Sequence, residues 1–408
     1  MRGRIELRNN IAEILAFFVT TVFLVSDLGG SVSVYVAFII AISVYAIMKS
    51  DIDLLNIKRN LPFLALFIVT LIMSFHDYDY KDMAKNFYLL MSVLGIVSIF
   101  SADRRTGGYK KIQKFFVFSG TFVALLIYFQ KLFPSVFSSL FLPLYINSSA
   151  AEIVRLTSQG YSICVNGDIA YTLTLVMFAL FCTILETGRK HRVWHSILLF
   201  GALLLSQRRT EILGSLVVII IVYFIRYRKT LFKDRLFLFC FISSIFVCLC
   251  LLIGLFIFIP ENFESSNRIM MTLHDIKYNV DFLNGRDELY TLALEIFEEK
   301  PISGIGWMNF SRYAAATGNT LARNVHCIYL QLLTECGVLG ASFIYLVIGI
   351  LLFKSFKQLF RNEGSLVYHA YILYFILAGV VDNTIYYPYF WIFVSSVVYM
   401  NDVALNNK

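Results

Sequence analysis

Long apolar stretches separated by short polar connectors set the pattern of this chain from end to end. A bilayer core about 30 Å thick takes roughly 20 apolar residues per crossing helix, and fewer when polar residues sit at its ends. At that scale the sequence predicts spans near residues 11–28, 32–48, 61–76, 86–101, 115–133, 168–186, 193–207, 211–225, 236–259, 338–353, 367–381 and 388–400. The expected architecture is all-α and polytopic, with about twelve transmembrane helices.

The connectors alternate in charge. Basic clusters fall at Arg2, Arg4 and Arg8, at Lys49, Lys58 and Arg59, and at Arg104, Arg105, Lys110, Lys111 and Lys114. Further clusters are Arg189, Lys190 and Arg192, then Arg226, Arg228, Lys229, Lys233 and Arg235, then Lys354, Lys357 and Arg361. By the positive-inside rule these clusters and both termini are cytoplasmic. The first apolar run is long and no small-residue cleavage pattern follows it, so it reads as a retained helix. The chain divides into helices one to nine with short loops (1–259), a large outer loop (260–337), and helices ten to twelve with the C-terminus (338–408).

Composition points the same way. At 58% hydrophobic, 15% charged and a mean hydropathy of +0.72, a chain of 408 residues holds more apolar side chains than a soluble domain buries. The net charge of +8 raises nucleic-acid binding, but the basic residues lie in short clusters and not in one stripe with exposed aromatics, so no nucleic-acid partner is expected. The seven cysteines show no CxxC or metal-ligand spacing and read as small packing residues. Neither a repeat nor a low-complexity segment is evident.

Against this topology the turn in LLLSQRRTEIL is out of place, because it puts Arg208 and Arg209 on the outer face, where few arginines are expected. The same face carries the large loop. Within it, NGRDELYTLALEIFEEKPISGIGW spaces Leu289, Leu292, Ala293, Ile296 and Phe297 as one apolar stripe, predicting an amphipathic helix from near Asp287 to Pro301. Arg286 precedes it, and Gly304 and Gly306 follow in a tight turn. The loop returns to the membrane through RNVHCIYLQLLTECGVLG, where His326 opens an apolar helical pattern near the water boundary. Asp382 ends a later hydrophobic run on the same face, and ionisable groups at membrane depth are costly unless paired or functional.

At these residues the chain resembles the O-antigen ligase and O-antigen polymerase family of bacterial envelope glycan assembly. The resemblance rests on SQRRT, on NGRDELYTLALEIFEEKPISGIG, and on HCIYLQLLTECGVLG, which is similar to a family pattern of His, a small polar residue, then GxxG. It covers about 165–390. Cys327 stands where Asn, Ser or Gln is usual, and Arg208 where a small residue is common, so Arg208 competes with Arg209 for the role.

The resemblance implies glycosyl transfer at the periplasmic face of the bacterial inner membrane. An oligosaccharide would move from undecaprenyl diphosphate to the hydroxyl of an acceptor glycan (polymerase, slightly favoured) or of lipid A-core (ligase), with no metal or other cofactor. A chain-length regulator and a flippase are the implied protein partners. Arg209 and Arg286 would grip the diphosphate, since guanidinium forks match phosphate oxygens and keep their charge. His326 would act as the base on the acceptor hydroxyl, and Asp382 or Arg208 would hold the acceptor, the diphosphate or the histidine. One base and no carboxylate pair favour a single inverting displacement.

Each residue also has a plain structural reading. Arg209 snorkels to lipid phosphates, Arg286 pairs with nearby Glu residues, His326 meets a backbone carbonyl, and Asp382 terminates a helix. His76, His274 and His369 have only that reading. Two other classes compete with an enzyme. A flippase or transporter would place charge at the midplane on broken helices, and a non-enzymatic scaffold would leave the converging Arg, Arg and His unexplained.

Overall fold

In this computed structural model the described residues are 108–141, 169–185, 192–231, 253–254, 256–261, 268–278, 286–307, 309–316 and 324–382, with isolated positions 68, 72, 239, 243, 250, 401 and 405. Every regular element among them is an α-helix. In chain order they are α1 (Gly108–Leu132), α2 (Pro134–Phe141), α3 (Ile169–Leu185), α4 (Arg192–Ser206) and α5 (Arg209–Leu231). Then come α6 (Arg268–Tyr278), α7 (Arg286–Glu299), α8 (Phe310–Ala316), α9 (Ile328–Phe360) and α10 (Leu366–Ala378).

Two helices are long and apolar enough to cross a membrane, over Arg209–Lys229 and Ile328–Phe360. Shorter apolar helices cover Val117–Leu132, Leu173–Leu185, Val193–Ser206 and Leu366–Ala378. All six fall on predicted spans. The spans expected near 11–28, 32–48, 61–76, 86–101 and 388–400 lie outside the described residues, apart from helical positions 68 and 72, and 236–259 is described only in part.

The helices divide into a buried centre and an apolar rim. α3 and α10 are enclosed along most of their length, with Phe178, Phe181, Tyr371 and Tyr374 buried and edge-on ring contacts joining the two. The outward faces of α4, α5 and α9 instead expose Trp194, Leu213, Leu346 and Phe353. An exposed apolar rim around a well-packed centre is what lipid, unlike water, leaves undisturbed.

The loop subdomain has a core of its own. α7 turns Leu289, Ala293 and Ile296 inward against Ile305, Phe310, Ala314 and Val325, and keeps its acidic residues outside. This is the expected stripe, with Leu292 and Phe297 at its margins. Burying each large side chain contributes about 1.5–3 kcal/mol. The cluster can therefore hold its shape above the bundle.

α9 carries that subdomain on its first turns and crosses the bundle with the rest. It begins ten residues before the predicted span because a break at Gly337 (φ 61°, ψ −175°) separates the two parts. A broken helix frees backbone groups that must be bonded elsewhere. The Pro301–Gly306 segment supplies the partners: Ile305 N–H donates to the Thr334 carbonyl (3.2 Å) and Gly306 N–H to that of Glu335 (2.9 Å), while the Pro301 carbonyl accepts from Val338 N–H (2.8 Å).

The two ends of the bundle differ in chemistry. At one, Arg228 donates to the Phe360 carbonyl (2.8 Å), His369 bonds the Ser355 hydroxyl (2.9 Å) and the Glu363 carbonyl (3.0 Å), and Asn401 links Gln358 to Ser365 N–H. At the other lie the starts of α5, α7 and α9 and the end of α10.

Candidate functional site

The Arg208–Arg209 pair sits at a corner between α4 and α5. Gln207 makes the corner in a left-handed conformation (φ 58°), and the Ser206 hydroxyl accepts the Arg208 N–H (3.3 Å). The two guanidiniums then part. Arg208 donates through Nε and Nη2 to the Glu211 carboxylate at 3.2–3.3 Å and through Nη2 to Asp382 Oδ2 at 3.3 Å. Glu211 is 1% exposed, so this carboxylate is withdrawn from water altogether. Arg209, half-buried, instead lies in the field of Arg286 and Asp275.

Arg286 is the first residue of α7, one position earlier than the sequence pattern placed the start. Its Nη1 donates to the Val381 carbonyl (3.3 Å), beside Asp382, and its charge lies near the Tyr290 phenol one turn along. Burial raises the Tyr290 phenol above its ordinary value, while the Arg286 charge pulls it down. Tyr290 and Cys327 both pack against the loop core.

His326 stands at the corner before α9 in a left-handed conformation (φ 56°), which is uncommon for a residue with a side chain. Cys327 occupies the helix N-cap and makes no side-chain cap. The helix solves its open donors another way. Ile328 N–H donates to the Gly379 carbonyl at the end of α10 (2.8 Å), joining an unsatisfied helix start to a helix end. The Gln331 side chain accepts Val325 N–H (3.2 Å) and donates to Glu335 (2.9 Å), whose carboxylate accepts Phe310 N–H (3.1 Å). Gln331 and Glu335 are buried, so this thread fixes the His326 corner and the start of α8 onto α9.

Arg208, Arg209, Arg286 and Asp382 are thus gathered at one end of the bundle, and the His326 corner is tied to that end by Ile328 N–H on the Gly379 carbonyl, three residues before Asp382. Asp382 pairs with Arg208. Three residues at the site went unremarked in the sequence. Glu211 was recoverable from its helical spacing to Arg208, and Tyr290 from its spacing to Arg286; Asp275, on α6, carries no local signal. Among the described residues no group of three or more His, Cys, Asp and Glu is placed to hold a metal ion. His274, beside Asp275, donates from Nε2 toward the Glu261 carbonyl (2.7 Å) and from Nδ1 toward Asp275 (3.3 Å), contacts that favour its protonated form.

Residues 194–345 match the sequence model of the O-antigen ligase family. Over that segment the chain is similar to the O-antigen ligase family. No curated protein matches it. The matched segment runs from α4 to the middle of α9, past the Gly337 break, and so contains Arg208, Arg209, Arg286 and His326; Asp382 lies beyond it. That likeness points to glycan transfer of the ligase or polymerase type and, with the apolar helices, to an integral membrane protein.

Proposed function

We propose that the protein is a polyprenyl-diphosphate-dependent glycosyltransferase of the bacterial inner membrane, acting at the periplasmic face as an O-antigen polymerase. The observation that carries the reading is the pair Arg209 and Arg286, contributed by helix starts 77 positions apart and close enough for their charges to act on each other. Two guanidiniums held near one another match a diphosphate, whose two phosphates carry about two negative charges. As the acceptor oxygen bonds the donor anomeric carbon, the bond from that carbon to the diphosphate breaks. Arg209 and Arg286 stabilise the charge left on the departing phosphate oxygen, and His326 takes the acceptor proton. The reaction is a single inverting displacement that needs no metal.

The topology belongs to the same reading: about twelve spans, both termini cytoplasmic, and the Arg209 end of the bundle outward. Supporting it, the helix ends opposite the site carry Arg226, Arg228, Lys354, Lys357 and Arg361. The polymerase assignment leans on the GIG turn packed against the ECGVLG break. The ligase is the second reading, favoured by the description of the matching family, and it would deliver the finished glycan to lipid A-core.

The test is the envelope glycan banding pattern of a deletion strain complemented with wild type, Arg209→Ala, Arg286→Ala or His326→Ala, with membrane levels checked. Single-repeat glycan on lipid A-core in the deletion strain, with no long chains restored by the variants, supports the polymerase. Accumulated lipid-linked polymer with bare core identifies the ligase. Full complementation by well-expressed variants removes the proposed site.

A further inference from the structure

Two adjacent arginines at one corner pose a sorting problem. Both carry the same charge and reach, and nothing in their chemistry says which one meets the substrate. Helix geometry supplies a difference. Residues three apart on a helix are neighbours, whereas residues one or two apart point elsewhere. Glu211 is three residues after Arg208 and two after Arg209. It therefore takes Arg208, through both Nε and Nη2, and the buried carboxylate cannot trade that partner for water. Asp382, 14% exposed, takes Arg208 from the other side. Two carboxylates on one guanidinium leave that trio with a net negative charge, which does not attract an anion.

We propose that Glu211 is a positioning residue that commits Arg208 to the protein and so reserves Arg209 for the anionic diphosphate. The proposal rests on the reading that Arg209 and Arg286 grip a lipid diphosphate. Through Arg208, Glu211 also steadies Asp382, and the neighbouring Val381 carbonyl receives Arg286. One buried carboxylate thereby reaches Arg286 as well as Arg208.

The experiment uses the full-length protein in lipid nanodiscs, with undecaprenyl diphosphate as the binding probe and glycan transfer measured in parallel. Glu211→Gln keeps the shape and removes the charge, releasing Arg208 toward the probe. Binding should tighten by about tenfold, as a charged hydrogen bond is gained, while turnover falls because the diphosphate sits in the wrong register. Adding Arg208→Gln to Glu211→Gln should return binding to near the wild-type value. A Glu211 that only supports the fold predicts the reverse: weaker or unchanged binding, with no recovery in the double variant, and either result overturns the proposal.

Should Glu211→Gln fail to reach the membrane, Arg208→Lys is read in the same way, because it keeps the charge and loses the fork. Tighter binding with slower turnover supports the proposal, and unchanged values overturn it. Arg209→Ala separates the two levels of inference. If it binds undecaprenyl diphosphate like wild type, the diphosphate reading fails. If it loses binding while Glu211→Gln stays at wild type, only the role of Glu211 fails.

Discussion

Gly304 and Gly337 meet backbone to backbone: a Cβ on Gly304 would lie 2.6 Å from the Gly337 nitrogen, and one on Gly337 would lie 2.7 Å from the Gly304 nitrogen. Both have positive φ, at 68° and 61°. Gly304→Ala or Gly337→Ala should therefore cost about 1–2 kcal/mol from conformation alone, with the overlap against carbonyls of Glu335 or Ile302 added. Thermal unfolding of each detergent-solubilised variant measures this. A melting temperature equal to wild type would remove the claim that loop and helix are clasped here.

Glu335 is fully buried and accepts from two donors, Phe310 N–H and the Gln331 amide. Glu335→Ala strands both, at about 1–3 kcal/mol each, whereas Glu335→Gln retains an acceptor oxygen. The alanine variant should unfold at a clearly lower temperature than the glutamine variant. The opposite order would show that the buried thread does not hold α8 to α9.

Arg286 places one arm of its fork on the Val381 carbonyl and its charge beside the Tyr290 phenol. Lysine has the charge without the fork. Arg286→Ala should lower glycan transfer by about 10²–10³-fold, the range for losing one preorganised donor, and Arg286→Lys should recover only a minor part. Full activity in the lysine variant would mean that charge alone suffices.

The α6 tether should respond to pH. His274 is raised above its ordinary value, first by the Glu261 carbonyl and then by Asp275. A raised folded value means that the contact contributes fully below the unfolded value of about 6.5 and fades as pH climbs through the folded one. Amide exchange in 268–278, corrected for its intrinsic pH dependence, should quicken as pH rises through that window, and His274→Gln should flatten the change. Identical profiles in the two proteins would dissociate His274 from the tether.

Much of this arrangement was legible because it is periodic. The apolar runs located the six apolar helices among the described residues, and the stripe through Leu289, Ala293 and Ile296 gave α7 and its inward face. What stayed hidden is non-local. Arg208 and Asp382 are 174 positions apart, and no spacing rule couples them. The Gly337 break lies inside an apolar pattern that reads as continuous helix or as a span start, and its meaning appears only once Pro301–Gly306 fills it. The sequence put Arg208 and Arg209 in competition; the structure separates them by their partners, through an acid whose burial composition does not reveal.

α9 joins the His326 corner to a membrane-length helix in one piece, pinned at its start to the Gly379 carbonyl and broken only at the clasped Gly337. Nothing soft separates the histidine from the hydrocarbon belt below it. On the proposed reading, bilayer thickness is then an input to the site: thinner or thicker lipid would shift the headgroup plane against a histidine held at fixed height, and with it the level at which a lipid-borne phosphate arrives.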